Sequence, residues 1–338
     1  MYDLGLFFAK AFIFVIAVLA VIGGAVALSG KGKPEKGNLI MTHLSEKIAE
    51  RTHELKREVL SKKAFKAYEK QRKKEEKEQD KLQDEPQESA KPHIFVIKFK
   101  GSIDAHEVSS LREEVSAVLS IAEPQDEVIV QVESGGGMVH GYGLASSQLA
   151  RLREAGLKLT VCVDKVAASG GYMMACVANE IVAAPFAILG SIGVIAQVPN
   201  FHKILKKNDI EFEQHTAGEF KRTLTMFGHN SDEARYKFKQ ELEETHQLFK
   251  GFVAKYRPQL DLAQVATGEH WFGQQALDLQ LVDTLRTSDD VILDRAKTHQ
   301  VFLVEYKMKQ KLADKLSKSA SMLVKTVLQS LKHQQHYS

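Results

Sequence analysis

The chain is short of the residues that staple or punctuate a fold. Only two cysteines, seven prolines and one tryptophan occur in 338 residues. Cys162 and Cys176 form no Cys-x-x-Cys pair and sit in no Cys/His cluster, so neither a disulfide scaffold nor a metal site is suggested. Both stand in apolar stretches and read as small buried hydrophobes, although sequence alone does not decide whether they pair. A net charge of only +3 creates no field that would draw nucleic acid. Four catalytic signatures are missing as well. Ser134, Ser169 and Ser191 each lack one glycine of G-x-S-x-G, and no H-E-x-x-H, Walker loop or complete G-x-G-x-x-G occurs. No cofactor is implied.

What is present is strongly segregated along the chain. Residues 11–28 carry no polar side chain, and the apolar stretch begins near Leu4 with Lys10 as its only interruption. A helix over 4–28 is long enough to cross a bilayer core, and Lys10 can snorkel to the headgroups. The competing reading is a cleaved signal peptide, because Ala25-Val26-Ala27 resembles a small-residue cleavage site. No basic residue precedes Lys10 and the run is long for a signal, which favours a retained anchor. Lys31, Lys33, Lys36 and Lys47 follow the span, so the positive-inside rule places the bulk of the chain in the cytoplasm.

Residues 29–91 read as a charged helical linker. Leu44 to Gln83 is dense in Lys, Arg, Glu and Gln, with opposite charges recurring at i,i+4 and a thin stripe of Leu44, Ile48, Leu55 and Val59. A globular domain is expected over 92–300. Buried-strand runs at Ile94–Phe99, Val128–Val132 and Leu159–Val163 alternate with helical patterns at 108–121 and 138–155, which predicts an α/β domain with a largely parallel sheet. Further on, the pattern predicts a helix at 172–178, strands at 181–184 and 212–216, and a charged helix over 231–256. Residues 301–338 read as a strand and a basic amphipathic helix. That helix suits packing against another subunit, or attachment to a membrane surface.

Chemistry belongs at the carboxyl ends of parallel strands. Two small-residue turns lie there. In Ser134-Gly135-Gly136-Gly137, three glycines let the backbone approach a ligand and turn N–H groups toward an oxyanion; the plain alternative is a strand-to-helix turn. In Ala168-Ser169-Gly170-Gly171-Tyr172, the serine is either a helix N-cap or a nucleophile with the Gly170 N–H beside it. A serine nucleophile needs a base. None of the thirteen histidines stands out. Lys221, in Gly218-Glu219-Phe220-Lys221, qualifies only if burial destabilises its ammonium form; otherwise it is a surface lysine.

These residues bring a family into view. The chain resembles the S49 signal peptide peptidase family, most closely its short bacterial inner-membrane branch. Five motifs carry the likeness in order: Val132–Gly141, Ala168–Tyr172, Leu189-Gly190-Ser191-Ile192-Gly193-Val194, Gly218–Lys221, and Gly268–Ala276. The resemblance implies a ClpP/crotonase-like α/β fold of repeated β-β-α units, preceded by the transmembrane helix and the charged spacer. It implies a Ser169/Lys221 dyad, with Ser191 orienting the lysine and Gly136, Gly137 and Gly170 supplying oxyanion N–H groups. It further implies peptide or protein substrates such as residual signal peptides, a homo-oligomer, and a protease domain on the periplasmic face of the inner membrane, against the lysine count. The family usually has proline where this chain has Gly135. Two other readings share the sequence features: a crotonase-like acyl-CoA enzyme, which needs neither Lys221 nor an anchor, and a non-catalytic membrane scaffold.

Overall fold

The computed structural model describes residues 37–83, 91–218 and 220–308. The expected span over 4–28 and the expected C-terminal helix lie outside these residues. Among the described residues no helix is long and apolar enough to cross a membrane. Residues 39–305 form one compact unit.

Its frame is a seven-stranded sheet in the order β1, β10, β2, β3, β4, β6, β9. The strands are β1 (Asn38–His43), β2 (His93–Lys100), β3 (Glu127–Glu133), β4 (Lys158–Val163), β6 (Glu180–Ala183), β9 (Thr284–Leu285) and β10 (Gln300–Lys307). From β10 through β9 every neighbouring pair is parallel. The central strands are near-continuous apolar runs because both faces are covered. Alternation divides β2 between two cores: Phe95, Ile97 and Phe99 enter the larger one, Ile94 and Val96 the smaller one behind the sheet.

Helices cover the larger-core face. In α3 (Val108–Ile121) the buried Val108, Leu111, Val115 and Val118 recur at three- and four-residue spacing. In α4 (Val139–Glu154) the buried face runs from Tyr142 through Ala145 and Leu149 to Leu152. The 25-residue α7 (Asp232–Tyr256) starts where the Ser231 hydroxyl accepts from the Ala234 N–H, and it buries only Phe249 and Val253. Short helices α5 (Gly170–Ala175), α6 (His202–Lys207), α8 (Leu262–Val265) and α9 (Gly273–Asp278) join these, with α10 (Ser288–Arg295) on the smaller core. A second sheet pairs β5 (Val166–Ala168) in parallel with β7 (Ile188–Gly190), and β7 in antiparallel with β8 (His270–Phe272).

Three expectations need correction. The stretch before residue 92 is not wholly a solvated linker: β1 lies beside β10 in the sheet, and of α1 (Leu44–Val59), Leu44 and Ile48 pack against the smaller core. The helix also ties to the sheet through Ser45, whose hydroxyl accepts from the Val301 N–H at 2.9 Å. The rest of its stripe, Leu55 and Val59, is exposed, and α2 (Lys62–Gln83) follows. Residues 212–216, expected as a strand, have no regular structure; Phe212 is exposed on one side and its ring meets that of Phe227, centroids 5.7 Å apart. The helix expected at 172–178 begins at Gly170, immediately after the serine. The cysteine reading holds: both thiols are free and buried, and burial pushes Cys162 up to about 12 and raises Cys176 as well.

Candidate active site

Two strand ends converge at one point. Ser134, just past β3, pairs with Ala167 of β5 and so joins the two sheets. Its N–H donates to the Val166 carbonyl at 2.9 Å, and its carbonyl accepts from the Ala168 N–H at 3.0 Å. The chain then reaches Ser169, whose N–H donates to the Gly190 carbonyl at 2.8 Å. The end of β7 therefore stands beside the serine, and Ser191 is the next residue along it.

Ser169 has φ 52° and ψ −119°. This is a conformation suited to glycine, and a side chain held there stores on the order of 1–3 kcal/mol of strain. The serine occupies the N-cap position of α5, yet its side chain makes no capping hydrogen bond. Capping therefore does not account for the residue. Ser191 likewise has a positive φ, 51°, and its N–H donates to the Glu269 carbonyl at 2.6 Å. Two serines in left-handed backbone thus sit at the ends of adjacent parallel strands.

The glycine turn closes on the same point. Gly136 has φ 87°, and a Cβ there would lie 2.7 Å from both the Ser169 Cβ and the Gly170 nitrogen. At Gly137 a Cβ would meet the Ile103 carbonyl oxygen at 2.0 Å. The Gly136 N–H donates to the Ser134 hydroxyl at 3.1 Å, so of the two expected donors it is the one already engaged. Gly137, Ser169 and Gly170 line one small cavity of about 80 Å³ with Met173, Val194 and Phe249. Phe249 comes from α7, which no sequence pattern assigns to this site.

Lys221 is elsewhere in the single chain. It is exposed and lines a separate hollow with Phe212, Thr216, Arg222 and Phe227. The structure brings Ser169, Ser191, Gly136, Gly137 and Gly170 together and leaves Lys221 outside that group. Among the histidines, His246 of α7 comes near, but its Nε2 donates to the Ile192 carbonyl at 3.1 Å and is thereby committed.

Gly135 faces open space and lies outside the left-handed region. Gly135→Ala is therefore expected to stabilise the protein by about 0.4–1 kcal/mol through the unfolded chain, read as a raised urea midpoint with unchanged slope.

The loop abutting Gly137 carries its own charge cluster. The Ser102 hydroxyl, and after it His106, hold the Asp104 carboxyl down at about 2. Asp104, and after it Glu107, raise His106 above its ordinary value. The Asp104 contribution is present above the ordinary aspartate range and lost as pH falls through about 2. The His106 contribution is complete below about 6.5 and lost as pH rises through its raised value. The stability difference between wild type and His106→Ala should thus be largest between about pH 4 and 6.5 and shrink toward pH 9. Urea titrations across that range check it, and a flat difference would mean that the pair does not hold the loop.

A strained, uncapped serine beside a glycine turn, at the carboxyl ends of parallel strands, is an arrangement that an α/β peptidase can use. The chain belongs to peptidase family S49: the model of the family's N-terminal part matches residues 1–149 and the family S49 model matches residues 151–303. The chain is 50% identical over 323 residues to "Probable protease SohB" of Haemophilus influenzae, covering 94% of this chain and 92% of that protein. It is 60% identical over 204 residues to "Probable protease SohB" of Buchnera aphidicola subsp. Schlechtendalia chinensis, covering 60% of this chain and 67% of that one. "Protease 4" of Salmonella typhi is 27% identical over 206 residues, 60% of this chain and 33% of its own.

Proposed function

We propose that this peptidase is a serine endopeptidase with Ser169 as nucleophile and Lys221 as general base. The observation that carries the reading is the strained, uncapped Ser169 beside the Gly137 and Gly170 backbone. Lys221 removes the hydroxyl proton, Ser169 Oγ attacks the substrate carbonyl, and the Gly137 and Gly170 N–H groups receive the developing oxyanion, with Gly136 shaping the turn. The tetrahedral intermediate collapses to an acyl-enzyme and expels the amine, which takes up the proton. Water then repeats the sequence and releases Ser169. Ser191, next to the carbonyl that anchors Ser169, orients the lysine amine.

Lys221 stands apart from Ser169 in the single chain and is exposed, so the dyad requires an assembly that both brings the amine within hydrogen-bond reach of the serine and covers it. A homo-oligomer provides that cover, and the exposed Ile195, Ile210, Phe212 and Phe220 around the excursion 194–230 support one. The parallel sheet with β5 and β7 diverted into a second sheet supports the ClpP/crotonase arrangement. The apolar run over 4–28 supports a single-pass anchor in the bacterial inner membrane. The periplasmic side, and substrates such as residual signal peptides or membrane-protein fragments, follow from the family resemblance, and the lysines after the span argue for the opposite side. The test is labelled casein and a signal-peptide substrate offered to wild type and Ser169→Ala; equal cleavage by the two overturns the reading.

A further inference from the structure

Tyr142 is fully buried, and no sequence pattern marked it for the site. Its hydroxyl donates to the Ser102 carbonyl at 2.7 Å. A carbonyl only accepts, so the single phenolic proton is spent there. The Ser134 hydroxyl, 2.5 Å from the Tyr142 oxygen, is therefore the donor of that second bond. One of its lone pairs accepts the Gly136 N–H at 3.1 Å. The directions are thus fixed along the whole chain: Gly136 N–H to Ser134, Ser134 to Tyr142, Tyr142 to Ser102. Burial raises Tyr142 above the ordinary phenol range, which keeps it a donor across the working pH.

The same tyrosine reaches the other side of the site. A Cβ at Gly170 would lie 2.3 Å from the Tyr142 Cγ, so the ring packs directly under the second oxyanion glycine. Ser134 also sets the strand that ends in Ser169, through its backbone bonds to Val166 and Ala168. A Cβ at Gly101 would meet the Tyr142 hydroxyl at 2.5 Å and Ser134 Oγ at 2.9 Å, so the pair is closely enclosed.

We infer that Tyr142 and Ser134 act as one positioning unit that fixes the Gly136–Gly137 turn and Gly170 relative to Ser169. The inference rests on the nucleophile and oxyanion assignments above. Drawing the Gly136 N–H inward onto Ser134 commits that amide, and the Gly137 N–H is the one left for substrate. Without the hydroxyl chain the turn keeps its glycines but loses the bond that sets its peptide plane. A shift of a fraction of an ångström in an oxyanion donor acts on the transition state and leaves substrate binding almost untouched.

The experiment uses the full chain in detergent and a fluorogenic peptide with leucine at the cleaved bond. Active sites are counted by end-point labelling with a fluorophosphonate, so that misfolded protein drops out of the rate. Tyr142→Phe, Ser134→Ala and the double variant are compared with wild type and Ser169→Ala. The expected result is a loss of roughly tenfold in kcat per labelled site for each single variant with KM unchanged, and no further loss in the double variant. Wild-type kcat in Tyr142→Phe overturns the inference, as do losses that multiply in the double variant or appear only in KM. Should Tyr142→Phe yield no labelled sites, Ser134→Ala alone decides by the same kcat and KM criteria. Hydrolysis by Ser169→Ala at the wild-type rate instead removes the nucleophile assignment, an outcome separate from any behaviour of Tyr142.

Discussion

Ser169→Ala should lower peptide hydrolysis by at least roughly 10³-fold while leaving the folded protein as stable as the wild type. The loss follows from the chemistry: without Oγ no acyl-enzyme forms, and only the glycine donors and the cavity remain to assist water. Stability is spared because alanine keeps both the Cβ and the left-handed backbone, and the serine hydroxyl makes no capping bond that would be lost. Ser169→Gly separates the two effects further. It should be equally inactive yet more stable by about 1–3 kcal/mol, because φ 52° with ψ −119° is an unstrained conformation for glycine. Fluorophosphonate labelling, casein cleavage and urea unfolding on the three proteins read this out. A structural serine predicts the reverse pattern, with stability lost and hydrolysis kept.

That contrast shows where sequence reasoning reached its limit at this residue. Periodicity located the strands β2, β3 and β4 and the helices α3 and α4, because both their faces and their lengths are written in apolar spacing. It placed Ser169 and the glycine turn at strand ends. It did not separate a cap from a nucleophile, since both put a serine before a helix. The distinction lies in a backbone torsion, and composition carries no trace of one. Strand β1 escaped notice for another reason: Asn38-Leu39-Ile40-Met41-Thr42-His43 is short and exposed over its first five residues except for Thr42, so no buried face betrays it. Phe249 and Tyr142 reach the site from helices whose patterning reports only that a face is buried, not what that face touches. The proposed pairing of Ser169 with Lys221 comes from the ordered motifs of the family resemblance, and no local pattern contains it.

Lys221→Ala should reduce kcat per chain by roughly 10²–10⁴-fold, the range for loss of a positioned general base. Lys221→Arg should be as inactive, although it keeps the charge and most of the reach, because a guanidinium does not give up its proton in a protein. That second variant is the discriminating one. If Lys221 merely steers substrate or stabilises a surface, arginine serves as well and activity survives. The exposed position adds a further expectation. Lys221 stands in solvent in the single chain, within an excursion carrying Phe212 and Phe220 on its surface. A base at this position therefore depends on a covering surface, and activity per chain should fall as the full-length protein is diluted through its association range. Sedimentation and hydrolysis measured over the same concentrations should then change together. Hydrolysis that holds constant down to the monomer, in a protein where Lys221→Arg is fully active, would assign the base to another residue.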